Sequence, residues 1–505
     1  MKAHFTALDF FVLISYLAGT TALGLWIGRK QKSANDYFIA ERSIPWWAVM
    51  FSVVASETSA LTFISIPGLA YVGNLGFLQV VAGYILGRFV VAFVLLPRYY
   101  RGDLVTAYAL LEQRFGLATR RFTSIVFMVT RAVADSVRVF ATAIPIALIL
   151  EGTMPREYVK PVAILLLGVL TIIYTYKGGM KAVVWTELLQ ASVYVLGGIS
   201  AIILIGHGVD GGWSRIVDTA SASGKLKVID TYMGFNRPHT LFAGLLGGAF
   251  LSMASHGADQ LIVQRLLTAR SLRDAQKAII GSGFVVFVQF TLFLFVGIGL
   301  FVLFGGKPFA APDSIFPTFI LQYMPPGLVG LILAAILAAT MSTHSGAINS
   351  LAAATTHDIY LPLSKKSTDD AATLRFGKLS ALVWGIVLTG GALLYKEQGT
   401  PVVVVALSIA SFTYGALLGG FFLGILWRRA IQRDAILGMS VAIVVMSFIV
   451  FAKQLLPILP SMTGMLTNFS KIAWPWYVLI GTSITMLVGI TSSLTHGPRA
   501  ANPND

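Results

Sequence analysis

The sequence predicts an all-α membrane protein of about 13 transmembrane helices, arranged as a five-plus-five inverted repeat whose first and sixth core helices are broken. Three observations lead there. Hydrophobic residues make up 56% of 505 positions, charged residues only 12%, and mean hydropathy is +0.78. A soluble chain carries about 25% charge, so lipid is the solvent for most of this one. Apolar stretches of about 18 residues or more recur along the whole length, each long enough to cross roughly 30 Å of hydrocarbon as a helix. Two of these stretches, finally, carry a polar interruption at mid-membrane depth.

The apolar stretches cover 8–28, 46–72, 77–97, 122–150, 159–176, 183–206, 239–263, 279–304, 327–353, 377–395, 402–427, 435–452 and 474–492. Runs such as Pro161-Val-Ala-Ile-Leu-Leu-Leu-Gly-Val-Leu170 do not alternate apolar with polar residues, which excludes the strands of a β-barrel. Helices are then the remaining way to satisfy the backbone in lipid. The first stretch lacks a small-x-small cleavage site and ends in Arg29, Lys30 and Lys32, so it reads as a retained helix rather than a signal peptide. Lys and Arg concentrate in alternate loops: Arg98, Arg101, Arg114, Arg120 and Arg121, then Lys177 and Lys181, then Arg265, Arg270, Arg273 and Lys277, and on to Arg428, Arg429 and Arg433. The positive-inside rule then places the N-terminus outside and the C-terminus in the cytoplasm of a cell (inner) membrane.

The first interruption reads Ala55-Ser56-Glu57-Thr58-Ser59-Ala60-Leu61-Thr62 and runs on to Pro67-Gly68; the second reads Ser252-Met253-Ala254-Ser255-His256-Gly257-Ala258-Asp259-Gln260. Counted from the second span they are helices one and six, which is where an inverted repeat breaks its helices to expose backbone carbonyls and amides. This divides the chain into an extra helix and loop at 1–45, a first repeat at 46–206, an extracytoplasmic loop at 207–238, a second repeat at 239–427 and two further helices at 428–505.

The net charge of +15 sits in short loops beside the spans. Anionic headgroups of the lipid bilayer and topology explain it, not nucleic acid. There is no cysteine, hence no disulfide or thiolate metal site. No zinc-type His spacing, nucleophile elbow or Walker loop is present, so an enzyme or an ATP-driven pump has no footprint.

Sodium needs about five or six oxygen ligands once stripped of water. Ala339-Thr340-Met341-Ser342-Thr343-His344-Ser345 supplies them, with Ser342 and Ser345 three apart on one helical face. Glu57 is an acid at mid-membrane, which costs at least about 2.5 kcal/mol. It contacts a solute, binds a proton, or neutralises an arginine such as Arg88 or Arg138. Asp135 and Arg138 are three apart on the fourth span and can pair locally. Asp259 and Arg265 lie at the inner end of the second broken helix, where gate or end-cap roles are expected and Arg265 should reach the cytoplasmic interface. His256 reads as a satisfied helix histidine.

Four motifs in order resemble the sodium:solute symporter family: Thr175-Tyr176-Lys177-Gly178-Gly179-Met180-Lys181-Ala182 with Trp185-Thr186; Asp259-Gln260-Leu261-Ile262-Val263-Gln264-Arg265; the Ser/Thr cluster near 340; and Gly415-Ala416-Leu417-Leu418-Gly419-Gly420-Phe421-Phe422-Leu423-Gly424. The resemblance implies a transporter fold working by alternating access, with Na+ as the coupling ion and a small organic solute as cargo. It implies a sodium site from the carbonyls of Ala55, Thr58 and Ala339 with the hydroxyls of Ser342 and Thr343. A second sodium in some members uses a further serine and an aspartate; here Ser345 remains, but the other two positions are Gly346 and Glu187. Members that carry carboxylates place an arginine near Arg138, or Arg131 if the register slips, and Ser59 and Thr62 match positions that touch substrate in the sialic acid branch. Gln79, with Glu57, completes the expected substrate contacts, while Arg88, Asp135, Asp259 and Arg265 are expected as gate or structural residues. The function expected is sodium-coupled import of a carboxylate, with a sugar or proline-like amino acid as alternatives. A passive channel or a sensor on the same fold is the remaining rival, the sensor disfavoured by the short tail after 492.

Overall fold

The computed structural model describes residues 5–27, 34–57, 60–101, 104–150, 154–364, 367, 371–396 and 402–496. The elements that carry the architecture are α1 (Ala7–Ile27), α2 (Trp46–Glu57), α3 (Ala60–Val72), α4 (Leu78–Val90), α5 (Leu117–Leu150), α6 (Arg156–Gly208), α7 (Gly248–Gly257), α8 (Gln260–Leu266), α9 (Leu272–Leu303), α10 (Leu328–Ala354), α11 (Ala371–Leu394), α12 (Val402–Leu426), α13 (Gln432–Val450) and α14 (Trp476–Leu494). Among the described residues the only β-type pairing is a single bridge between Ile44 and Ala269.

Among those residues nine helices are long and apolar enough to cross a membrane, and the bent pair α2 and α3 makes a tenth. The other three predicted stretches also lie on helical residues. α5 carries Arg131, Asp135 and Arg138 along its length. The stretch 159–176 is not a separate helix: α6 continues through Lys177–Lys181 for 53 residues, so no loop divides the two spans expected there. The stretch 239–263 is divided by the break between α7 and α8.

Both breaks fall where the polar interruptions lie. The axis turns by 56° between α2 and the part of α3 from Thr62 onward. At the second break Asp259 leaves helical geometry at φ −91° and ψ 123°, and its carboxylate accepts the amide of Leu261 at 2.8 Å. That is an N-cap, and it supplies one of the partners that the first turn of a helix lacks.

The broken pairs meet at α10, since α2, α3 and α8 all pack against it, as does α6. Glycines let α4 press onto α7 and the turn that precedes it. A Cβ at Gly83 would stand 2.3 Å from the Gly244 carbonyl oxygen, and one at Gly87 would stand 2.3 Å from that of Ala249. Only a bare backbone allows α4 this close to α7. The approach brings Arg88, the next residue, to the break at Glu57. The extra helix α1 is anchored by its buried Asp9, which accepts the amides of Gly327 (2.7 Å) and Gly330 (2.9 Å) at the start of α10.

Candidate functional site

A cavity with about 790 Å³ of atom-free space, part of it open to solvent, lies between the two breaks, α5 and α12. Its wall has two charged poles. One is Glu57 with His256; the other is Arg131 and Arg138 with Tyr414, and Phe77, Tyr84, Phe290 and Leu407 supply apolar surface between.

Glu57 ends α2, and its carboxylate pairs with Arg88, whose other guanidinium arm donates to Ser282 at 2.8 Å. His256 completes the cluster. Its Nε2 lies 3.3 Å from the Glu57 carboxylate and 3.2 Å from Arg88, while Nδ1 faces the Ser255 hydroxyl at 2.8 Å. Arg88 is fully buried and Glu57 retains 14% side-chain exposure, on the cavity side. The partner of the mid-membrane acid is thus Arg88.

At the other pole Arg131 lies between two acids, 3.2 Å from Asp135 and 3.5 Å from Asp259. Asp259 also accepts the Tyr414 hydroxyl from α12. Asp135 reaches Arg138 at 3.6 Å, so the predicted local pair exists but the shorter contact is with Arg131 one turn earlier. Of the two arginines Arg131 is sealed at 4% exposure, whereas Arg138 shows 19%.

Two expectations need correction. Arg265 does not emerge at an interface; it is fully buried, 2.7 Å from the Glu187 carboxylate, and donates to the Leu261 carbonyl at 2.7 Å. Glu187 in turn accepts the hydroxyls of Ser52 and Ser56 from α2. Its oxygens therefore already meet a guanidinium and two hydroxyls. Gln79 likewise does not line the cavity: its amide donates to the carbonyls of Gly76 (3.2 Å) and His239 (3.0 Å) and accepts the amide of Asp230 (3.2 Å).

On α10 the Thr343 hydroxyl donates to the Ala339 carbonyl at 3.0 Å, so two of the expected sodium ligands already adjoin. Ser345 is fully buried. Ala55 lies in the last turn of α2, where carbonyls lose their helical partners. Thr62, one turn past the break, lines the cavity and donates to the Glu57 carbonyl at 3.5 Å. Thr58 and Ser59 lie outside the described residues, as does the side chain of Ser342. Sequence reasoning missed Tyr84 and Tyr414, and it set aside His256, which the break turns into the cavity. Tyr414 immediately precedes the Gly415 motif, and that adjacency was the one signal that could have found it.

The family model described as the sodium:solute symporter family matches residues 37–442. This chain belongs to that family. It is 32% identical over 494 residues to a sodium/sialic acid symporter of Aliivibrio fischeri, covering 96% of this chain and 92% of the relative. A sodium/sialic acid symporter of Proteus mirabilis is 31% identical over 454 residues, covering 88% and 90%. Among solved structures, a substrate-bound, outward-open Na+-coupled sialic acid symporter superposes with a TM-score of 0.83 at 28% identity, covering 98% of this chain and 99% of the other. A family member with these charged poles is a sodium-coupled transporter of a small solute, not an enzyme, and its multi-pass helical architecture is the expected one.

The Glu57 and Arg88 pair yields a prediction. Removing one partner of a buried ion pair strands the other charge and costs about 3–5 kcal/mol. Arg88→Gln is expected to lower the melting temperature of the detergent-purified protein sharply, and adding Glu57→Gln to regain part of the loss. A double variant less stable than Arg88→Gln alone would show that the pair does not act as a unit.

Proposed function

We propose that this chain imports a small organic carboxylate together with one sodium ion across the cell inner membrane, with its N-terminus outside and its C-terminus in the cytoplasm. The observation that carries the carboxylate is Arg138, the cavity arginine with the greater exposure. A planar guanidinium grips a carboxylate through two parallel hydrogen bonds. Similar proteins named for an acid as cargo support the reading. A zwitterion is the second reading, favoured by the partial exposure of Glu57 at the opposite pole.

Sodium binds between the break of α2 and α10, on the carbonyls of Ala55, Thr58 and Ala339 and the hydroxyls of Ser342 and Thr343. By joining the break to α10 it orders the cavity, where Thr62, Ser59, Glu57 and Arg138 receive the solute. The outer gate then closes, and the ion leaves inward when the two helices part. Residues 46–206 and 239–427 act as the two repeats of this alternating-access cycle. Coupling is a reciprocal binding free energy, typically about 1–3 kcal/mol. The single ion follows from Arg265. Its guanidinium holds Glu187, and a Cβ at Gly346 would stand 2.4 Å from one of its nitrogens, so a fixed positive charge sits beside Ser345 and Glu187, where a second ion would need ligands.

Ser342→Ala combined with Thr343→Ala removes two first-shell oxygens and is expected to raise the sodium concentration for half-maximal uptake by about tenfold or more. Unchanged sodium dependence at normal expression refutes the site. In voltage-clamped proteoliposomes one sodium with one monocarboxylate should move no net charge, while a net charge of one per solute would reveal a second ion. Competition between an acid and its amide tests the cargo: the parent should prefer the acid, and Arg138→Gln should lose that preference while Arg138→Lys keeps part of it. Retained affinity for the acid in Arg138→Gln would make Arg138 a structural ion-pair partner only.

A further inference from the structure

A second basic site lies away from the cavity, where the end of the helix through α4 meets the end of α12. A pocket there is lined by Arg98, Arg101, Arg114 and Arg428, with Phe421 and Ile425 among its apolar wall residues, and it holds about 990 Å³ of atom-free space, part of it open to solvent. No carboxylate lines it among the described residues. The nearby Glu112, on the short helix Ala109–Phe115, is already paired with Arg120 at 2.5 Å.

The four arginines do different things. Arg114 closes the end of α12 by donating to the carbonyls of Gly424 (3.1 Å), Trp427 (3.3 Å) and Arg428 (2.7 Å). The last carbonyls of a helix lack intrahelical partners, and a cation at a helix C-terminus also meets the negative end of the dipole. Arg98 donates to the Val94 carbonyl. Arg101 and Arg428 close no helix end. Both are exposed, and among the described residues neither guanidinium has a hydrogen bond or ion pair within the chain. The adjacent Arg429 differs, donating to the carbonyls of Ser493 (2.8 Å) and His496 (2.5 Å).

We infer that this pocket binds the phosphate headgroup of an anionic phospholipid, with Arg101 and Arg428 gripping the phosphate over a floor where Arg98 and Arg114 are held by backbone carbonyls. Free phosphate has the same oxygen chemistry, but the surroundings favour a lipid. The pocket lies at the end of a membrane-spanning helix, its wall is partly apolar, and the neighbouring Leu426 is 64% exposed, as acyl-chain contact requires. Basic pockets between helices on the cytoplasmic side suit anionic headgroups, and each arginine near the surface adds appreciable attraction. The inference is independent of the cargo and of the sodium site.

The test uses the full-length protein in detergent and short-chain phosphatidylglycerol as probe, with binding read by native mass spectrometry. Phosphatidylglycerol should bind the parent more tightly than phosphatidylcholine of equal chain length, and inorganic phosphate at the same concentration should not displace it. Arg101→Gln with Arg428→Gln should weaken the phosphatidylglycerol complex by about 20-fold or more, with an unchanged melting temperature because neither guanidinium holds the fold. Arg101→Lys with Arg428→Lys keeps the charge and should retain most of the binding. Equal binding of both lipids to the parent, undiminished phosphatidylglycerol binding in the Gln variant, or displacement by inorganic phosphate would each overturn the assignment.

Discussion

Charge taken out of water sets the terms for this structure. Arg88, Arg131, Arg138 and Arg265 are matched around the cavity by Glu57, Asp135, Asp259 and Glu187. An ionised group in lipid stays charged only where a partner and further hydrogen bonds replace its water. Each pairing therefore dictates which helices stand side by side. Glu57 with Arg88 fixes α2 to α4, Glu187 with Arg265 fixes α6 to α8, and Arg131 with Asp259 fixes α5 to the second break. The same pairs hold the two breaks at the positions where the polar interruptions put them.

Such pairs add little net stability compared with apolar packing, because desolvation offsets most of the attraction. What they add here is placement. Most of the charge around the cavity is sealed, with Arg88 and Arg265 fully buried and Arg131 at 4% exposure, and the parts turned toward the cavity are Arg138 and the end of Glu57. A neutral cluster with one accessible cation and one accessible anion can recognise a polar solute without carrying a large unpaired charge while empty. Backbone follows the same economy: Asp259 caps α8, so the second break leaves fewer stranded amides.

Gly346 and Arg265 illustrate how one position constrains another across the fold. Absence of a side chain at 346 leaves the space that the guanidinium of Arg265 fills. The result is a fixed cation among Glu187, Ser52 and Ser56. Gly83 and Gly87 do the corresponding work for Arg88 by admitting α4 to the surface of α7.

By itself the sequence determined the membrane class, the places of the apolar stretches and the two breaks, because these depend on local composition and on period along one helix. It also marked Glu57 as an acid that must be compensated, and the Ser/Thr face of α10 as rich in oxygen. Tertiary structure decided which arginine meets which acid. Glu57 finds Arg88 31 positions away and Glu187 finds Arg265 78 positions away, distances over which periodicity carries no signal. The same limit explains Gln79, whose residue type suits solute binding but whose neighbours are the backbone of Gly76, Asp230 and His239. It explains Arg265 too, placed at an interface by its position near a helix end yet drawn inward by Glu187. Helical period fixes which residues share a face; the rotation and depth of that face against its neighbours come only from how the whole bundle packs.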